Sequence, residues 1–248
     1  MIAMKLHGGK QGRRGFRLAM LAAIVGLCPM PASSAIERVD VALVLAVDVS
    51  DSIDADRYAL QMDGIAKAFE DPEVQASLRG GRSRAMYVAL VEWSNRPVVS
   101  IRWTLLTNNE NMSAFAAEVR ATPRASQQFT CMAAALRAIA DKLLPQLPVP
   151  ADRTIIDVSG DGHDNCNPGQ PVDAVRDELA AAKVSINGLP ILAGDEADTL
   201  EAWYREHVIG GPDAFIMPAY AFEDIARTMR RKFVTEISAT SIGLVPPR

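Results

Sequence analysis

The first long apolar stretch of the chain, Val41 to Val47, is β-branched and uninterrupted by any polar residue. Such a run predicts a strand covered on both faces, as in the middle of a parallel sheet. Thr154 to Val158 predicts a second strand of that kind. Elsewhere the period changes. Ala55 to Glu70 carries apolar residues at Leu60, Ile65, Ala68 and Phe69, an amphipathic helix that stops before Asp71-Pro72. Ala85 to Trp93 and Pro97 to Trp103 read as strands joined through Ser94-Asn95-Arg96, an antiparallel edge pair. Helices are expected over Asn111 to Ala121, Cys131 to Leu144, Val172 to Lys183, Thr199 to Val208 and Phe222 to Ile237, and strands over Val184 to Ile191 and Ala214 to Met217. This alternation predicts a doubly wound α/β fold: a mostly parallel sheet, helices on both faces and one antiparallel edge strand.

The polar residues that follow the two buried strands carry the candidate chemistry. Asp48, Ser50 and Ser52 follow the first at i, i+2, i+4 spacing, which places one carboxylate and two hydroxyls on one side of an extended loop. Asp161 follows the second, within Ser159-Gly160-Asp161-Gly162. Open α/β sheets bind ligands along the edge formed by the carboxyl ends of their strands, and an all-oxygen donor set suits a hard divalent cation.

With these residues the chain resembles the von Willebrand factor type A (VWA) fold, Rossmann-like in architecture. That family's metal-ion-dependent adhesion site (MIDAS) uses an Asp-x-Ser-x-Ser motif, a distant Thr and a distant Asp. The resemblance spans nearly all of the chain after its first 35 residues. It implies that Asp48, Ser50 and Ser52 supply the first metal loop, Thr130 the second and Asp161 the third. It also implies Mg²⁺, with Mn²⁺ able to substitute, and a free coordination position that a carboxylate of a protein partner completes. The phrases IDVSGDG, Ile156 to Gly162, and INGLPI, Ile186 to Ile191, resemble more narrowly an exported bacterial family of this fold with no assigned function. Two departures stand out. Many members have Gly shortly before the distant Thr, where this chain has Ser126-Gln127-Gln128-Phe129, and Gly160 stands where Thr usually precedes the Asp-Gly pair.

Plainer roles exist for the same residues. Asp-x-Ser-x-Ser is also a turn and capping sequence, so Ser52 or Asp54 could cap the helix beginning near Ala55, and the Thr130 hydroxyl could cap the helix that follows it. His163 reads as an exposed loop residue rather than a ligand, Ser159 as a bystander, and Trp93, Trp103 and Trp203 as core filler. An EF-hand is excluded: the twelfth position from Asp48 is Ala59 and from Asp161 is Val172, where a bidentate Glu is required.

The ends of the chain bear on where it works. Residues 1–35 contain Lys5, Lys10, Arg13, Arg14 and Arg17, no acidic residue, the apolar stretch Leu18 to Cys28 and then Ala32-Ser33-Ser34-Ala35. This is the pattern of a signal peptide cleaved after Ala35. Its apolar part is too short to span a bilayer. Arg13-Arg14-Gly15-Phe16-Arg17-Leu18 resembles a twin-arginine signal with Gly12 where Ser or Thr is usual, so ordinary secretory and twin-arginine export both remain open. Leu27 is bulkier than lipoprotein sites accept, which leaves Cys28 as hydrophobic filler. Residues 36–248 then form one domain of 213 residues, exported to the periplasm or beyond, with 21 basic and 30 acidic residues and a net charge of −9. That balance argues against nucleic acid as a partner, and no later run is apolar enough to cross a membrane.

Cys131 and Cys166 remain after cleavage, and an even count in an exported chain favours a disulfide. Lying beside Thr130 and Asp161 in sequence, it would tie the second and third loops together. Two free buried thiols or thiolate ligands are the alternatives, and the hard oxygen donors speak against the latter.

Three functions follow from these observations. The first is a non-enzymatic, metal-dependent protein-binding module, an adhesion or scaffold domain whose cation engages an acidic residue of a partner. The second is a haloacid dehalogenase-like phosphatase with Asp48 as nucleophile, although Ser50 stands where that chemistry wants a second Asp as general acid. The third is a metal-free scaffold that binds by shape.

Overall fold

The computed structural model describes Met1 and residues 36–125, 128–166 and 169–238. Residues 2–35, where a signal peptide is expected and where Cys28 lies, Ser126-Gln127, Asn167-Pro168 and residues 239–248 lie outside the described residues. Five strands, β1 (Val39–Asp48), β2 (Met86–Trp93), β3 (Val98–Leu106), β4 (Ala151–Gly160) and β5 (Val184–Pro190), form one sheet in the order β3-β2-β1-β4-β5. All pairs are parallel except β2 with β3, which makes the antiparallel edge expected of the Ser94-Asn95-Arg96 hairpin. β1 is the central strand and all ten of its residues are buried, the physical reason for its uninterrupted apolar sequence.

The helices among the described residues are α1 (Ala55–Glu70), α2 (Pro72–Gly80), α3 (Asn109–Ala121), α4 (Met132–Ala138), α5 (Val172–Ala181), α6 (Ala197–Trp203) and α7 (Ile225–Ser238). They divide between the two faces of the sheet, which alternate along β1. Val41, Leu43, Leu45 and Val47 pack against α1, α2, α3 and α7, where Phe69 lies 4.9 Å from both Phe115 and Phe233. Val44 and Ala46 join Trp93, Ile156, Leu136, Val175, Leu200 and Tyr204 beneath α4, α5 and α6. The two-faced burial of one strand thus builds both cores.

Three local readings differ from the sequence expectation. Asp71-Pro72 ends α1 as expected, but it also starts α2: the Asp71 carboxylate accepts from the N–H groups of Glu73 and Val74, and Pro72 fills the first turn where no amide donor is needed. The helices expected over Cys131 to Leu144 and Thr199 to Val208 widen into π turns at Ile139–Leu143 and Tyr204–Val208. Ala214 to Met217 is not a strand. It meets β5 only through an isolated bridge from Ile216 to Gly188, because the N–H of Phe215 is diverted to the side chain of Asn187 and Pro212 and Pro218 bracket the segment.

Candidate metal centre

β1 and β4 are parallel neighbours with Val47 opposite Ser159, so the residues that leave them emerge side by side at the same sheet edge. The loop after β1 folds back at once: the Ser50 N–H donates to Asp48 Oδ1 at 2.8 Å and the Ile53 N–H to the Ser50 carbonyl at 3.0 Å. Asp54, not Ser52, caps α1 by accepting from the Arg57 N–H. That leaves the Ser52 hydroxyl free for the neighbouring loop. It donates to Asp161 Oδ1 at 2.5 Å and lies 3.2 Å from Ser50 Oγ. The loop is also clamped from behind, by Gln61 Nε2 on the Asp48 carbonyl and by Arg124 on the carbonyls of Val49 and Ser50.

The second loop is tied to the first by the Asp51 N–H donating to the Gln128 carbonyl at 3.0 Å. It is tied to the third by a ladder of contacts. Thr130 and Asn165 exchange bonds, Cys131 and Cys166 form a disulfide with their Cα atoms 4.8 Å apart, and the Met132 N–H donates to Asp164 Oδ1 at 2.7 Å. Asp164 therefore meets an exposed donor of the first turn of α4, and Thr130 does not cap that helix. Its hydroxyl turns instead toward Asn165 Nδ2, 3.5 Å away.

Ser50, Ser52, Thr130 and Asp161 all line one cleft of about 980 Å³ at the sheet edge. Asp48 is fully buried beneath it. Gly160 is what permits this: a Cβ there would lie 2.8 Å from Asp48 Oδ2 and 3.1 Å from the Tyr204 hydroxyl. The Thr usual at this place would not fit without moving one of them.

The electrostatics of the site are unbalanced toward negative charge. Asp48 Oδ2 and Asp161 Oδ2 are buried and have no hydrogen-bond donor. Burial, opposed by the Ser50 N–H and reinforced by the nearby charge of Asp161, pushes the Asp48 carboxyl up to about 7. Burial also pushes Asp161 upward, against the Ser52 hydroxyl and the Arg57 guanidinium, whose Nη1 stands 3.7 Å from Asp161 Oδ2. The Tyr204 hydroxyl, buried and without a partner beside Gly160, is raised by burial and by the same carboxylates. Two carboxylates poorly served by protein donors, facing hydroxyls at an open cleft, form a surrounding that a hard cation would complete. Among the described residues no three or more His, Cys, Asp or Glu side chains cluster as a metal site, so a cation here would depend on the hydroxyls.

Sequence reasoning did not single out Arg57 or Glu196. Arg57 follows its cap Asp54 by one turn and so reaches the mouth of the site. Glu196 lines the far wall, where Oε2 accepts from the His163 N–H at 2.5 Å and lies 3.4 Å from His163 Nδ1. His163 is accordingly packed, with its ring 5.0 Å from that of Trp203, rather than loose in solvent.

The family model described as "Protein of unknown function (DUF1194)" matches residues 38–241. No curated protein is matched by the sequence. Solved structures are similar in fold at low identity. The vWF domain of the type V pili tip protein Mfa5 from Porphyromonas gingivalis is 13% identical with a TM-score of 0.57, over 86% of this chain and 99% of that one. Proximal thread matrix protein 1 from the mussel byssus, with a zinc-occupied MIDAS motif, is 12% identical with a TM-score of 0.59, over 80% of this chain and 46% of that one. The pilus adhesin SpaC from Lactobacillus rhamnosus GG is 14% identical with a TM-score of 0.58, over 81% and 31%. The chain thus spans about half the length of the mussel protein and a third of SpaC.

Proposed function

The chain belongs to the DUF1194 family and has the VWA-like fold, and from that premise we propose that it is a metal-dependent protein-binding module. Asp48, Ser50, Ser52, Thr130 and Asp161 hold Mg²⁺ or Mn²⁺ in this reading. The observation that carries it is the pair of buried oxygens without a hydrogen-bond donor, Asp48 Oδ2 and Asp161 Oδ2, set against the hydroxyls of Ser50 and Ser52 at an open cleft. A bound cation supplies an electrophilic position that a carboxylate of a partner can fill. The chain's own residues do the rest. The clamped first loop fixes the hydroxyls, the disulfide-stapled second and third loops fix Thr130 against Asp161, and Arg57 at the rim attracts an incoming acidic group. The names of the structural neighbours, a matrix protein, an adhesin and a pilus tip protein, support binding as the activity.

The phosphatase alternative fits the geometry poorly. That chemistry needs a second carboxylic acid two residues after the nucleophile as general acid, and Ser50, whose hydroxyl lies against Ser52, cannot serve as one. We further propose that residues 1–35 direct export and are removed after Ala35, which would deliver the disulfide to an oxidising compartment. The N-terminal sequence of the exported protein should then begin at Ile36.

The test of the binding reading is calorimetric titration of Mg²⁺ and Mn²⁺ into the chelator-stripped protein. Binding that disappears in Asp48→Ala supports it. Absence of binding in the unmodified chain, at concentrations well into the millimolar range, favours the metal-free scaffold.

A further inference from the structure

Lys232 of α7 is fully buried, and its Nζ lies 2.8 Å from Asp157 Oδ1 on β4 and 2.7 Å from Glu236 Oε1 one helical turn away. Glu236 Oε1 also accepts from Asn187 Nδ2 at 2.7 Å, and the Lys232 ammonium sits 4.9 Å from the centre of the Phe215 ring. Asp157 and Asn187 are buried polar residues within the phrases IDVSGDG and INGLPI, and neither of the two lines the metal cleft. Two carboxylates therefore face one ammonium, and all three side chains are buried. Asp157 Oδ2 and Glu236 Oε2 are buried without any hydrogen-bond donor. The three side chains together carry a net negative charge, offset in part by the Arg153 guanidinium, which donates to the Glu236 backbone carbonyl, and burying such an ionic group is costly.

We propose that Lys232 and Asp157 condense into an intramolecular isopeptide bond, with Glu236 as the proton carrier. A proton first passes from Nζ to Asp157 within their existing contact, leaving a neutral amine against a neutral acid. Burial raises the Asp157 carboxyl, while the two carboxylates, against burial, hold the Lys232 ammonium above its ordinary value, so the neutral pair is the minority state from which the attack proceeds. The Nζ lone pair attacks Cγ of Asp157 and the Nζ–Cγ bond forms. Glu236, already in contact with Nζ, takes a proton from the nitrogen and returns it to the departing hydroxyl. The Cγ–O bond breaks and one water leaves. No oxidant or co-reactant is required. The residues are held in contact before reaction, which gives an intramolecular step its large effective concentration. A cleft of about 290 Å³ lined by Ser185, Asn187, Phe215 and Glu236 adjoins the site and offers the water a way out. The product removes an ammonium and a carboxylate from the interior and ties the sheet covalently to the last described helix.

The test is peptide mapping by mass spectrometry of the full chain as purified, after reduction of the disulfide and digestion with trypsin. The expected result is a branched product joining the Asp157 and Lys232 peptides, lighter than their sum by one water, with no cleavage after Lys232. Recovery of the two peptides separately at their sequence masses overturns the proposal. A link that is lighter by one ammonia and maps to Asn187 overturns the assignment to Asp157. In Glu236→Gln the branched product should fall at least tenfold; its persistence at the unmodified level overturns the role given to Glu236. Because the first comparison is made on the unmodified chain, it does not depend on how the variant folds.

Discussion

Ser52 Oγ donates to Asp161 Oδ1 over 2.5 Å, although the two residues lie 109 positions apart in sequence. This contact joins the loop after β1 to the loop after β4 through side chains alone. It holds a hydroxyl and a carboxylate at the distance at which both can face one ion. It also occupies the Ser52 proton, which orients the hydroxyl lone pairs toward Ser50 and the cleft. Ser52→Ala should therefore weaken Mg²⁺ binding by roughly tenfold or more, the loss expected from one oxygen ligand and its orienting bond, while costing only about 1 kcal/mol of stability. Calorimetry and thermal melting of the same variant separate the two effects. Unchanged Mg²⁺ affinity would remove Ser52 from the site.

Arg57 is the cation already present at the site, with Nη1 3.7 Å from Asp161 Oδ2 and a side chain about one-third exposed. A metal ion and the guanidinium repel each other, so Arg57→Ala should tighten Mg²⁺ binding. The gain is limited to roughly fivefold, because a partly solvated pair of this kind is worth at most about 1 kcal/mol. The same change should weaken capture of an acidic partner. Looser Mg²⁺ binding in Arg57→Ala would mean that the side chain supports the loop, through its bond to the Ser52 carbonyl, more than it opposes the ion.

The Cys131–Cys166 disulfide closes a loop of 35 residues and flanks the Thr130–Asn165 pair. Its replacement by two serines should lower stability by about 2–4 kcal/mol. If the staple also preorganises Thr130 against Asp161, Mg²⁺ affinity should fall by more than Thr130→Ala alone produces. Equal affinities in the two variants would confine the disulfide to a stabilising role.

Much of this arrangement was legible in the sequence because it rests on local signals. The unbroken Val41 to Val47 run follows from burial on both faces, and the edge hairpin from Ser94-Asn95-Arg96. The features that were not legible depend on residues brought from elsewhere. Asp164, rather than Thr130, meets the first turn of α4, because only the folded third loop delivers its carboxylate there. The segment from Ala214 to Met217 has strand-like composition, but the Asn187 side chain takes the donor that a strand would need. Lys232 sits in a helix whose sequence gives a charged residue no reason to be inside; its burial makes sense only once Asp157 and Glu236 surround it.

Asp48 gives the site a pH dependence with a definite sign. Its carboxyl is pushed up to about 7 in the folded protein, mainly by burial, from the ordinary value of 3.8 that it regains on unfolding. For a carboxyl raised in this way, the contribution to stability is complete below the unfolded value and is lost as pH rises through the folded one. The metal-free protein should therefore lose stability between about pH 4 and pH 7, by a few kcal/mol at most. Mg²⁺ reverses the trend, since it binds the carboxylate that rising pH creates. The rise in melting temperature caused by Mg²⁺ should be small near pH 5 and large near pH 8, because protons and cation compete for the same oxygens. Asp48→Asn has no such group, so its melting temperature should lack this component of the pH dependence and should not respond to Mg²⁺. Melting curves of both proteins, with chelator and with Mg²⁺, read this directly. A Mg²⁺ shift of equal size at both pH values, or one that survives in Asp48→Asn, would place the cation away from Asp48.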